Sequence, residues 1–242
     1  MVTGPLFKWF GSKWNASKHY PRPLYDTLVE PFAGGAGYAL RYADKRVVLA
    51  ETNTHLLRLW RWIIDDASKE DVLDIPLGLR VGEDIRTIGL SDGQALLLKH
   101  WQRTNNVGDC WTISPWGNSP GQWTANTRAR VADEIQAVKH WQVLGNAEGA
   151  FSGYTEACTW FIDPPYQYNY AYKTPPLNYA RLASAVRALN GQIIVCEATC
   201  PKTGAIPDWL PFVPFRRSVT SRRKSHNNHH SNELVWIAEA NQ

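Results

Sequence analysis

Short apolar runs recur along the chain and are separated by polar stretches that contain glycine and proline. Continuous apolar runs of this length are typical of strands that are covered on both faces of a sheet. Helical periodicity lies between several of them, as in Leu182, Val186 and Leu189. This alternation predicts an α/β fold with a doubly wound, mostly parallel seven-stranded sheet. The predicted strands are 27–30, 47–50, 141–144, 159–162, 192–196, 212–219 and 234–237.

The alternation of strand and helix stops between the second and third predicted strands. A helical stripe covers 55–73, and a second helix is expected to begin after Ser91, a residue type that is favoured at the N-cap. Turn-forming residues dominate 105–126, and 129–140 again has a helical pattern. We therefore predict a mostly helical unit inserted into the sheet domain. The predicted division is 1–54 with 140–242 as one domain and 55–139 as the insertion.

Composition fits a globular protein of 242 residues, with 44% hydrophobic and 20% charged residues. The formal charge of +4 permits a polyanionic partner but does not require one. The sequence contains neither a signal-peptide pattern nor an apolar stretch long enough to span a bilayer. We therefore expect a soluble, intracellular protein.

Two residue types allow alternative interpretations. The four cysteines fit no standard zinc spacing, so we expect reduced thiols. The alternative is a metal site that joins Cys196 and Cys200 to His229 or His230. Trp160 and Trp236 lie in apolar strands and are expected in the core. Three further tryptophans, Trp111, Trp116 and Trp123, lie in a polar stretch. For these we favour packing inside a small subdomain over stacking on nucleic-acid bases.

The strongest local motif, Asp163-Pro164-Pro165-Tyr166, directly follows the fourth predicted strand. Ligands bind at that edge of open α/β sheets. A carboxylate and a backbone carbonyl provide two hydrogen-bond acceptors, and the prolines stiffen the chain that carries them. The tyrosine provides a flat face for a base. A structural Asp-Pro turn with a packed tyrosine is the alternative.

Two rigid acceptors suit chemistry at an exocyclic amino group. That nitrogen is a poor nucleophile because its lone pair is delocalised into the ring. Acceptors bonded to both hydrogens favour a tetrahedral nitrogen, whose lone pair can attack a methyl sulfonium. Such acceptors stabilise the transition state more than the ground state, which is the requirement for catalysis.

A glycine-rich turn covers 30–37, after the first predicted strand. Glycines let the backbone approach a ligand closely, and no Gly-Lys-Ser/Thr follows that would indicate a P-loop. Glu51 follows the second strand, where acids of nucleotide-binding α/β folds bond ribose hydroxyls. A plain glycine turn and an ordinary surface acid are the alternatives.

Positive residues occur in two notable places. The segment 8–13, Lys-Trp-Phe-Gly-Ser-Lys, is expected to cover a ligand, with a solvated loop as the alternative. A denser basic run lies between the last two predicted strands and precedes His226, His229 and His230. It could follow a phosphate backbone or form a solvated hairpin loop. The run consists of Arg216, Arg217, Arg222, Arg223 and Lys224.

These motifs, in this order, resemble the Dam-type (alpha-group, D12 class) DNA adenine-N6 methyltransferases. The family pattern has an N-terminal Lys-Trp-x-Gly-x-Lys segment and then a Glu-Pro-Phe-x-Gly-x-Gly turn. An acid after the second strand, a target-recognition insertion and Asp-Pro-Pro-Tyr follow. The corresponding parts here are 8–13, 30–37, Glu51, 55–139 and 163–166. Asn232-Glu233-Leu234 also resembles the family's closing segment, so the resemblance spans nearly the whole chain.

The resemblance implies a Rossmann-like methyltransferase fold that binds S-adenosyl-L-methionine. It further implies methyl transfer to N6 of an adenine flipped out of double-stranded DNA, without a covalent intermediate or a metal. The implied cofactor-binding residues are Trp9, Lys13, Glu30, Phe32, Gly34, Gly35, Gly37, Glu51 and Asp163. The residues that would grip the target base are Asp163, Pro164, Pro165 and Tyr166. We expect a cytoplasmic, bacterial or phage-encoded monomer, with a dimer on DNA as the alternative.

Two departures from the family pattern affect the site residues. Many relatives have Gly-Asp after the third strand, whereas Gly145-Asn146 stands here, so Asn146 is a candidate for pairing with the cofactor adenine. The insertion does not match the base-reading segment expected for GATC, and we assign no recognition sequence. The candidate DNA-contacting residues are Lys8, Asn105, Asn106, Arg128, Arg130, Arg222, Arg223 and Lys224.

Three other functions remain open at this point. N4-cytosine methylation needs the same acceptors, because cytosine also carries an exocyclic amino group. Methylation of a protein glutamine amide is more distant, since that chemistry usually goes with Asn-Pro-Pro-Tyr. A catalytically inactive DNA-binding relative is the alternative from another class.

Overall fold

The computed structural model describes residues 1–102, 109–168, 177–200, 202–210, 217–224 and 230–239. In the last two ranges it describes the backbone, together with the side chains of Val235, Trp236 and Ile237. Asn105 and Asn106, two candidate DNA contacts, lie outside the described residues, and so do Arg216, His226 and His229.

The strands form one sheet. They are β1 (Thr27–Glu30), β2 (Arg46–Ala50), β3 (Gln142–Leu144), β4 (Cys158–Ile162), β5 (Gly191–Ala198), β6 (Arg217–Lys224) and β7 (His230–Glu239). Their order across the sheet is β3-β2-β1-β4-β5-β7-β6. The pairs among β1 to β5 are parallel, whereas β7 runs antiparallel to both β5 and β6. The predicted α/β class with a mostly parallel sheet is therefore confirmed.

Helices occupy the connections between the strands and much of the predicted insertion. They are α1 (Thr54–Arg61), α2 (Lys69–Leu73), α3 (Asp92–Trp101), α4 (Ala125–Glu134), α5 (Ala147–Gly153) and α6 (Tyr179–Arg187). Short 3-10 helices cover Ser17–His19, Ala39–Tyr42, Ile85–Thr87 and Ile135–Val138. Within the described part of the chain, none of the helices combines the length and apolarity that crossing a bilayer requires.

Side chains cover both faces of the sheet, as the continuous apolar runs predict. Every residue of β4 is buried. Phe161 belongs to a cluster on one face that also contains residues of β1, α1 and α3, whereas Trp160 belongs to a second cluster with Leu182 and Val186 of α6. The alternation along β4 therefore joins the two hydrophobic layers through one strand.

The predicted helix over 55–73 is interrupted. Helix α1 continues into one π-helical turn, Trp62–Asp66, and the chain becomes extended at Ala67. Ser68 then caps a new helix: its hydroxyl accepts from Asp71 N at 3.0 Å, and the Asp71 side chain accepts from Ser68 N. This capping box starts α2 independently, because it satisfies backbone groups that a continuous helix would have used. Ser91 caps α3 in the same way, as predicted.

Residues from the predicted insertion and from the N-terminus pack onto the sheet. One hydrophobic cluster contains Leu28 and Leu49 of the sheet together with Leu97 of α3 and Trp123. Near the N-terminus, the Trp101 indole donates to Leu6 O at 3.0 Å, which ties the first residues to α3. The hydrophobic core of 55–139 is therefore continuous with one face of the sheet.

The tryptophans and cysteines have mixed environments. Trp160 and Trp236 are buried, as expected, and so is Trp123, whose indole donates to Pro76 O at 3.1 Å. Trp116 is 72% exposed, so packing does not account for it. All four cysteines are free thiols, and those at 158 and 196 are buried.

Candidate active site

A cavity lies at the carboxyl edge of the sheet, between β1 and β4. The chain leaves β1 toward β2 on one side of the sheet and leaves β4 toward β5 on the other, so the loops after β1 and β4 diverge. Such a switch point is where open α/β sheets bind ligands. The cavity has a volume of about 310 Å³. Its lining includes the two principal motifs, the turn after β1 and Asp163 after β4.

Gly34 occupies the centre of the glycine-rich turn. Its φ of +48° lies in the left-handed region, which glycine adopts without steric cost. Its N–H donates to Glu51 Oε2 at 2.9 Å, and its carbonyl accepts from the Trp60 indole at 2.8 Å. The turn is therefore held by Glu51, which follows β2, and by Trp60 of α1.

The N-terminal segment lies directly on the glycine-rich turn. A Cβ at Gly37 would lie 2.4 Å from Trp14 N, and one at Gly34 would lie 2.8 Å from Trp9 Cδ1. Ser17 stabilises this close contact between the N-terminal segment and the turn, because its hydroxyl donates to Gly37 O at 3.1 Å. The glycines thus allow the segment with Trp9 and Lys13 to form one wall of the cavity.

Lys13 joins the N-terminal segment to the loop after β4. Its Nζ lies 2.5 Å from Asp163 Oδ2 and 2.9 Å from Gly11 O. The pair is largely buried, with 6% of the lysine side chain and 17% of the aspartate side chain exposed. The ammonium also lies 5.1 Å from the centre of the Tyr166 ring. One cation therefore contacts two residues of the Asp-Pro-Pro-Tyr motif.

Glu30 is buried beneath the turn, with 2% of the residue exposed. Its Oε1 accepts from Ala39 N at 2.6 Å. Burial raises the pKa of the Glu30 carboxyl to about 8 against the lowering effect of the Ala39 bond, and the charge of Asp163 adds to the rise while Lys13 opposes it. At neutral pH Glu30 is therefore mostly protonated, which limits the negative charge at the cavity floor.

Glu51 stands at the rim after β2. Burial raises the pKa of its carboxyl, while bonds from the backbone of Asn53 and Gly34 lower it. The bond from Asn53 N to Glu51 Oε1 measures 2.8 Å, and the Asn53 side chain caps α1. The acid is thereby held where the turn and α1 meet.

Glu197 at the end of β5 supports the loop after β4. Its Oε2 accepts from the Trp209 indole at 3.1 Å and from Gln167 N at 3.4 Å. Burial raises the pKa of the Glu197 carboxyl to about 7, although bonds from Ala198 N, Trp209 and Gln167 lower it. Nearby, Tyr179 donates its hydroxyl to Pro165 O at 2.6 Å.

Most of the predicted cofactor and base-gripping residues lie together. Those lining the cavity are Trp9, Lys13, Glu30, Phe32, Gly34, Gly37, Glu51, Asp163 and Pro165. Gly35 belongs to the same turn, Pro164 is buried, and Tyr166 lies under Lys13 outside the lining. Asn146 is not in the cavity wall either: its Oδ1 accepts from Gly149 N at 2.7 Å and caps α5.

The described candidate DNA contacts that precede β3 are engaged in internal bonds. Lys8 donates to Gln122 Oε1 at 2.9 Å, and burial lowers its pKa. Arg128 donates to Ile75 O at 2.9 Å. Arg130 donates to Pro5 O at 2.8 Å and pairs with Glu134. These groups tie the N-terminus and the insertion together, and their contact with DNA stays a prediction.

The location predicted for the second basic run is wrong in one respect. Arg217, Arg222, Arg223 and Lys224 do not lie in a loop between the last two strands, because β6 covers Arg217–Lys224. The strand was expected over 212–219, where the apolar residues lie; 211–216 are outside the described residues. Pairing with β7, from Arg217↔Ile237 to Lys224↔His230, carries the strand through the polar and basic segment. The backbone hydrogen bonds to β7 thus stabilise a strand in a segment whose sequence has only a weak strand pattern.

Several residues at the site were missed by sequence reasoning. Trp60 was assigned to a helical stripe, and its bond to Gly34 O has no sequence signature. Asn53 was recognisable as a helix N-cap before α1. Glu197 had the same signature as Glu51, an acid after an apolar strand, and the same reasoning would have found it. In the described part of the chain, no group of three or more His, Cys, Asp or Glu side chains is placed to hold a metal ion.

The family model of the D12 class N6 adenine-specific DNA methyltransferases matches residues 9–83 of the chain. This stretch contains residues 9–13 of the N-terminal segment, the glycine-rich turn and Glu51, but not Asp163 to Tyr166, so the match supports the family resemblance over the first third of the chain. No match was found among curated proteins.

Proposed function

We propose, on the premise of this family match, that the protein transfers a methyl group from S-adenosyl-L-methionine to N6 of adenine in double-stranded DNA. The observation that carries the proposal is the single cavity lined both by Gly34 and Gly37 of the turn and by Asp163. A methyl donor and an amino acceptor must meet in one site, and these motifs are the parts suited to each. The reaction would take place in the cytoplasm of a bacterial or phage-infected cell.

The cavity has the features that a nucleoside cofactor requires. Its aromatic walls include Trp9 and Phe32, and its volume is in the range of small-ligand sites. The Glu51 carboxylate, held at the rim by Gly34 N and Asn53 N, is suited to accept from ribose hydroxyls. Bound S-adenosyl-L-methionine supplies an electrophilic methyl group on a sulfonium.

The protein's part in the transfer is to hold and polarise the amino group. We assign Asp163 as acceptor for one hydrogen and the Pro164 carbonyl as acceptor for the other, since Pro165 O already accepts the Tyr179 hydroxyl. Both acceptors favour the tetrahedral nitrogen that attacks the methyl group as the bond from sulfur to that methyl breaks. The methylated nitrogen then loses one of its two protons to solvent. Tyr166 stacks on the flipped base, and its position against Lys13 keeps it close to Asp163.

Lys13 and the amino group of the base share the Asp163 carboxylate in this proposal. Nζ of Lys13 bonds both Asp163 Oδ2 and Gly11 O, which fixes the carboxylate relative to the N-terminal segment. A carboxylate has enough lone pairs to accept from the ammonium and from the amino group together, so Lys13 can hold Asp163 in place during the transfer.

Strand register supports a DNA surface at this edge of the sheet. The last residue of β5, Ala198, pairs with Glu233 of β7, and the β6–β7 ribbon continues beyond it to Lys224↔His230. Arg222, Arg223 and Lys224 therefore extend past the carboxyl end of β5, on the side where Asp163 follows β4. Basic residues at that edge suit the phosphate backbone of a duplex whose base enters the cavity.

The deciding experiment is transfer of an isotope-labelled methyl group to unmethylated genomic DNA, followed by mass spectrometry of the nucleosides. N6-methyldeoxyadenosine is the expected product, and Asp163→Ala should abolish it. Asp26→Ala is the matched control, because the Asp26 side chain is fully exposed and pairs with Lys45 at the surface.

Two outcomes would contradict the proposal. N4-methyldeoxycytidine as the sole product would reassign the amino group to cytosine. A wild type that binds duplex DNA and transfers nothing would make the protein a binding module. Single-molecule sequencing of DNA from an expressing host would then give the sequence context of an adenine product.

A further inference from the structure

The loop that carries Asp163 and Tyr166 is bonded from behind at two points. Tyr179, the first residue of α6, donates its hydroxyl to Pro165 O at 2.6 Å. Glu197, near the end of β5, accepts from Gln167 N at 3.4 Å. These two bonds hold the residues on either side of Tyr166.

The two supports are connected to each other through Trp209. The Tyr179 and Trp209 rings have centres 6.0 Å apart and an angle of 31° between their planes. The Trp209 indole donates to Glu197 Oε2 at 3.1 Å. A closed chain of contacts therefore runs from Pro165 through Tyr179, Trp209 and Glu197 back to the loop at Gln167.

Two of the three side chains in this chain of contacts are buried, Tyr179 is half-buried, and none of the three lines the cavity. Glu197 is fully buried and Trp209 is 5% exposed, so solvent does not compete for their bonds. Tyr179, Trp209 and Glu197 do not contribute to the lining that the described residues form. Their contacts to the site therefore act on the shape of the loop and not on a ligand in the cavity.

We propose that Tyr179, Trp209 and Glu197 position the base-gripping loop for methyl transfer. The inference rests on the function proposed above, because only an acceptor loop needs such accuracy. The two prolines restrict φ inside the loop, but they do not fix where the loop lies relative to the sheet. The three side chains fix the loop relative to the sheet, because each comes from a different part of the fold. Tyr179 lies in α6, Glu197 in β5 and Trp209 in the segment after β5.

Tyr179→Phe is the sharpest test, because it removes one hydroxyl and keeps the ring against Trp209. We expect kcat for methyl transfer to fall about 10-fold to 100-fold, the range caused by a misplaced reacting group. KM for S-adenosyl-L-methionine should stay within about twofold, because the cavity lining is unchanged. The matched control is Tyr154→Phe, which removes a hydroxyl bond of 2.9 Å to Gln142 Oε1 at the surface.

A purely structural role predicts a different pattern. Tyr179→Phe would then lower the melting temperature while the folded enzyme kept its kcat. A second variant, Glu197→Gln, weakens the other support at constant size. The double variant should transfer methyl groups no more slowly than the worse single variant, because both act through the same loop.

The possible failures can be told apart. An active wild type whose Tyr179→Phe variant keeps the kcat of Tyr154→Phe would overturn the positioning role and leave the proposed function standing. Simple multiplication of the two single effects in the double variant would also overturn it. A wild type without transfer activity would remove the proposed function, and the positioning role with it.

Discussion

Lys13 and Asp163 are 150 residues apart in the chain, yet their charged groups lie 2.5 Å from each other at the floor of the cavity. The contact joins the N-terminal segment to the loop after β4. Both charges also act on Glu30, since Asp163 raises the pKa of the Glu30 carboxyl and Lys13 lowers it. The geometry of the site therefore depends on a buried ion pair between its two halves.

Breaking this pair should destabilise the protein. Lys13→Met removes the ammonium and leaves a largely buried carboxylate, which should lower the free energy of unfolding by about 3 kcal/mol. In the double variant with Asp163→Asn the loss should be smaller than the sum of the single losses by about 1 kcal/mol or more. Urea unfolding monitored by tryptophan fluorescence measures both.

The matched control for this cycle is Lys45→Met. It breaks an ion pair of 2.9 Å with Asp26, whose side chain is fully exposed, and should change the free energy of unfolding by at most about 1 kcal/mol. Equal effects of Lys13→Met and Lys45→Met would contradict a stabilising role of the buried pair.

Stability should fall as pH rises through the neutral range. Glu30 has a pKa of about 8 in the folded protein against 4.5 for the free side chain, so between these values the folded chain holds the extra proton. The free energy of unfolding then decreases with pH, by up to about 1.4 kcal/mol per pH unit for one proton. Glu30→Gln keeps an acceptor for Ala39 N and should flatten this dependence.

Glu30 contributes throughout the range from about pH 6.5 to about pH 8, and comparison with Glu30→Gln separates its contribution from those of Glu51 and Glu197. Burial lowers the pKa of His100 to about 3 from its ordinary value of 6.5, so His100 changes the stability mainly below about pH 6.5. Glu197, with a pKa of about 7, also makes the free energy of unfolding decrease with pH, but mostly in the lower part of this pH range. An unchanged slope for Glu30→Gln across urea titrations would show that Glu30 does not hold the proton.

Gly37 should not tolerate a side chain. A Cβ there would lie 2.4 Å from Trp14 N and 2.8 Å from Lys13 N, so the N-terminal segment would have to move off the turn. Overpacking of this kind costs about 1–3 kcal/mol, and we expect Gly37→Ala to weaken S-adenosyl-L-methionine binding about 10-fold or more. Isothermal titration calorimetry measures the change.

Gly153 offers the control for that substitution. It lies in α5 with nothing within 4 Å of an added Cβ, so Gly153→Ala should leave cofactor affinity unchanged. Affinity preserved in both variants would mean that the close contact between the turn and the N-terminal segment is not needed for binding.

The basic end of β6 should contribute sequence-independent affinity for DNA. Replacing Arg222, Arg223 and Lys224 with Ala should weaken binding to all duplexes and reduce the slope of log K against log salt by about 1 for each lost contact. Fluorescence anisotropy over a salt series measures it. A control triple variant uses basic residues near the opposite edge of the sheet, Lys45, Arg46 and Arg187. Equal slopes for both triple variants and the wild type would remove β6 from the interface.

The positions of the parallel strands β1 to β5 and the principal motifs were predictable because each is a local property of the sequence. Val29, Val48 and Trp160 lie in continuous apolar runs, and only a sheet covered on both faces explains such runs at that spacing. Asp163 and the glycine-rich turn follow predicted strands directly. Parallel strands bring their carboxyl ends to one edge, so their meeting in one cavity followed from topology.

The contacts between distant segments could not be predicted in the same way. Arg128 and Arg130 are exposed-type residues on a helix, and their partners, Ile75 O and Pro5 O, are backbone atoms that no sequence pattern locates. Asn146 matched a cofactor position by its place after β3, but an asparagine before a helix also caps it, and capping is what its Oδ1 does. Each of these residues allowed two kinds of partner. The structure shows the internal one, and contact with DNA or cofactor stays a prediction.

The N-terminal segment bridges the two halves of the molecule. Thr3, Pro5 and Leu6 are bonded to α3 and α4 of the insertion, and a few residues later Trp9 and Lys13 form a wall of the cavity. A movement of α3 or α4 is therefore expected to shift Trp9 and Lys13. A ligand that fixes Trp9 and Lys13 is in turn expected to oppose that movement. If the proposed function holds, any coupling through this segment is reciprocal, so duplex DNA and S-adenosyl-L-methionine change each other's affinity by the same factor.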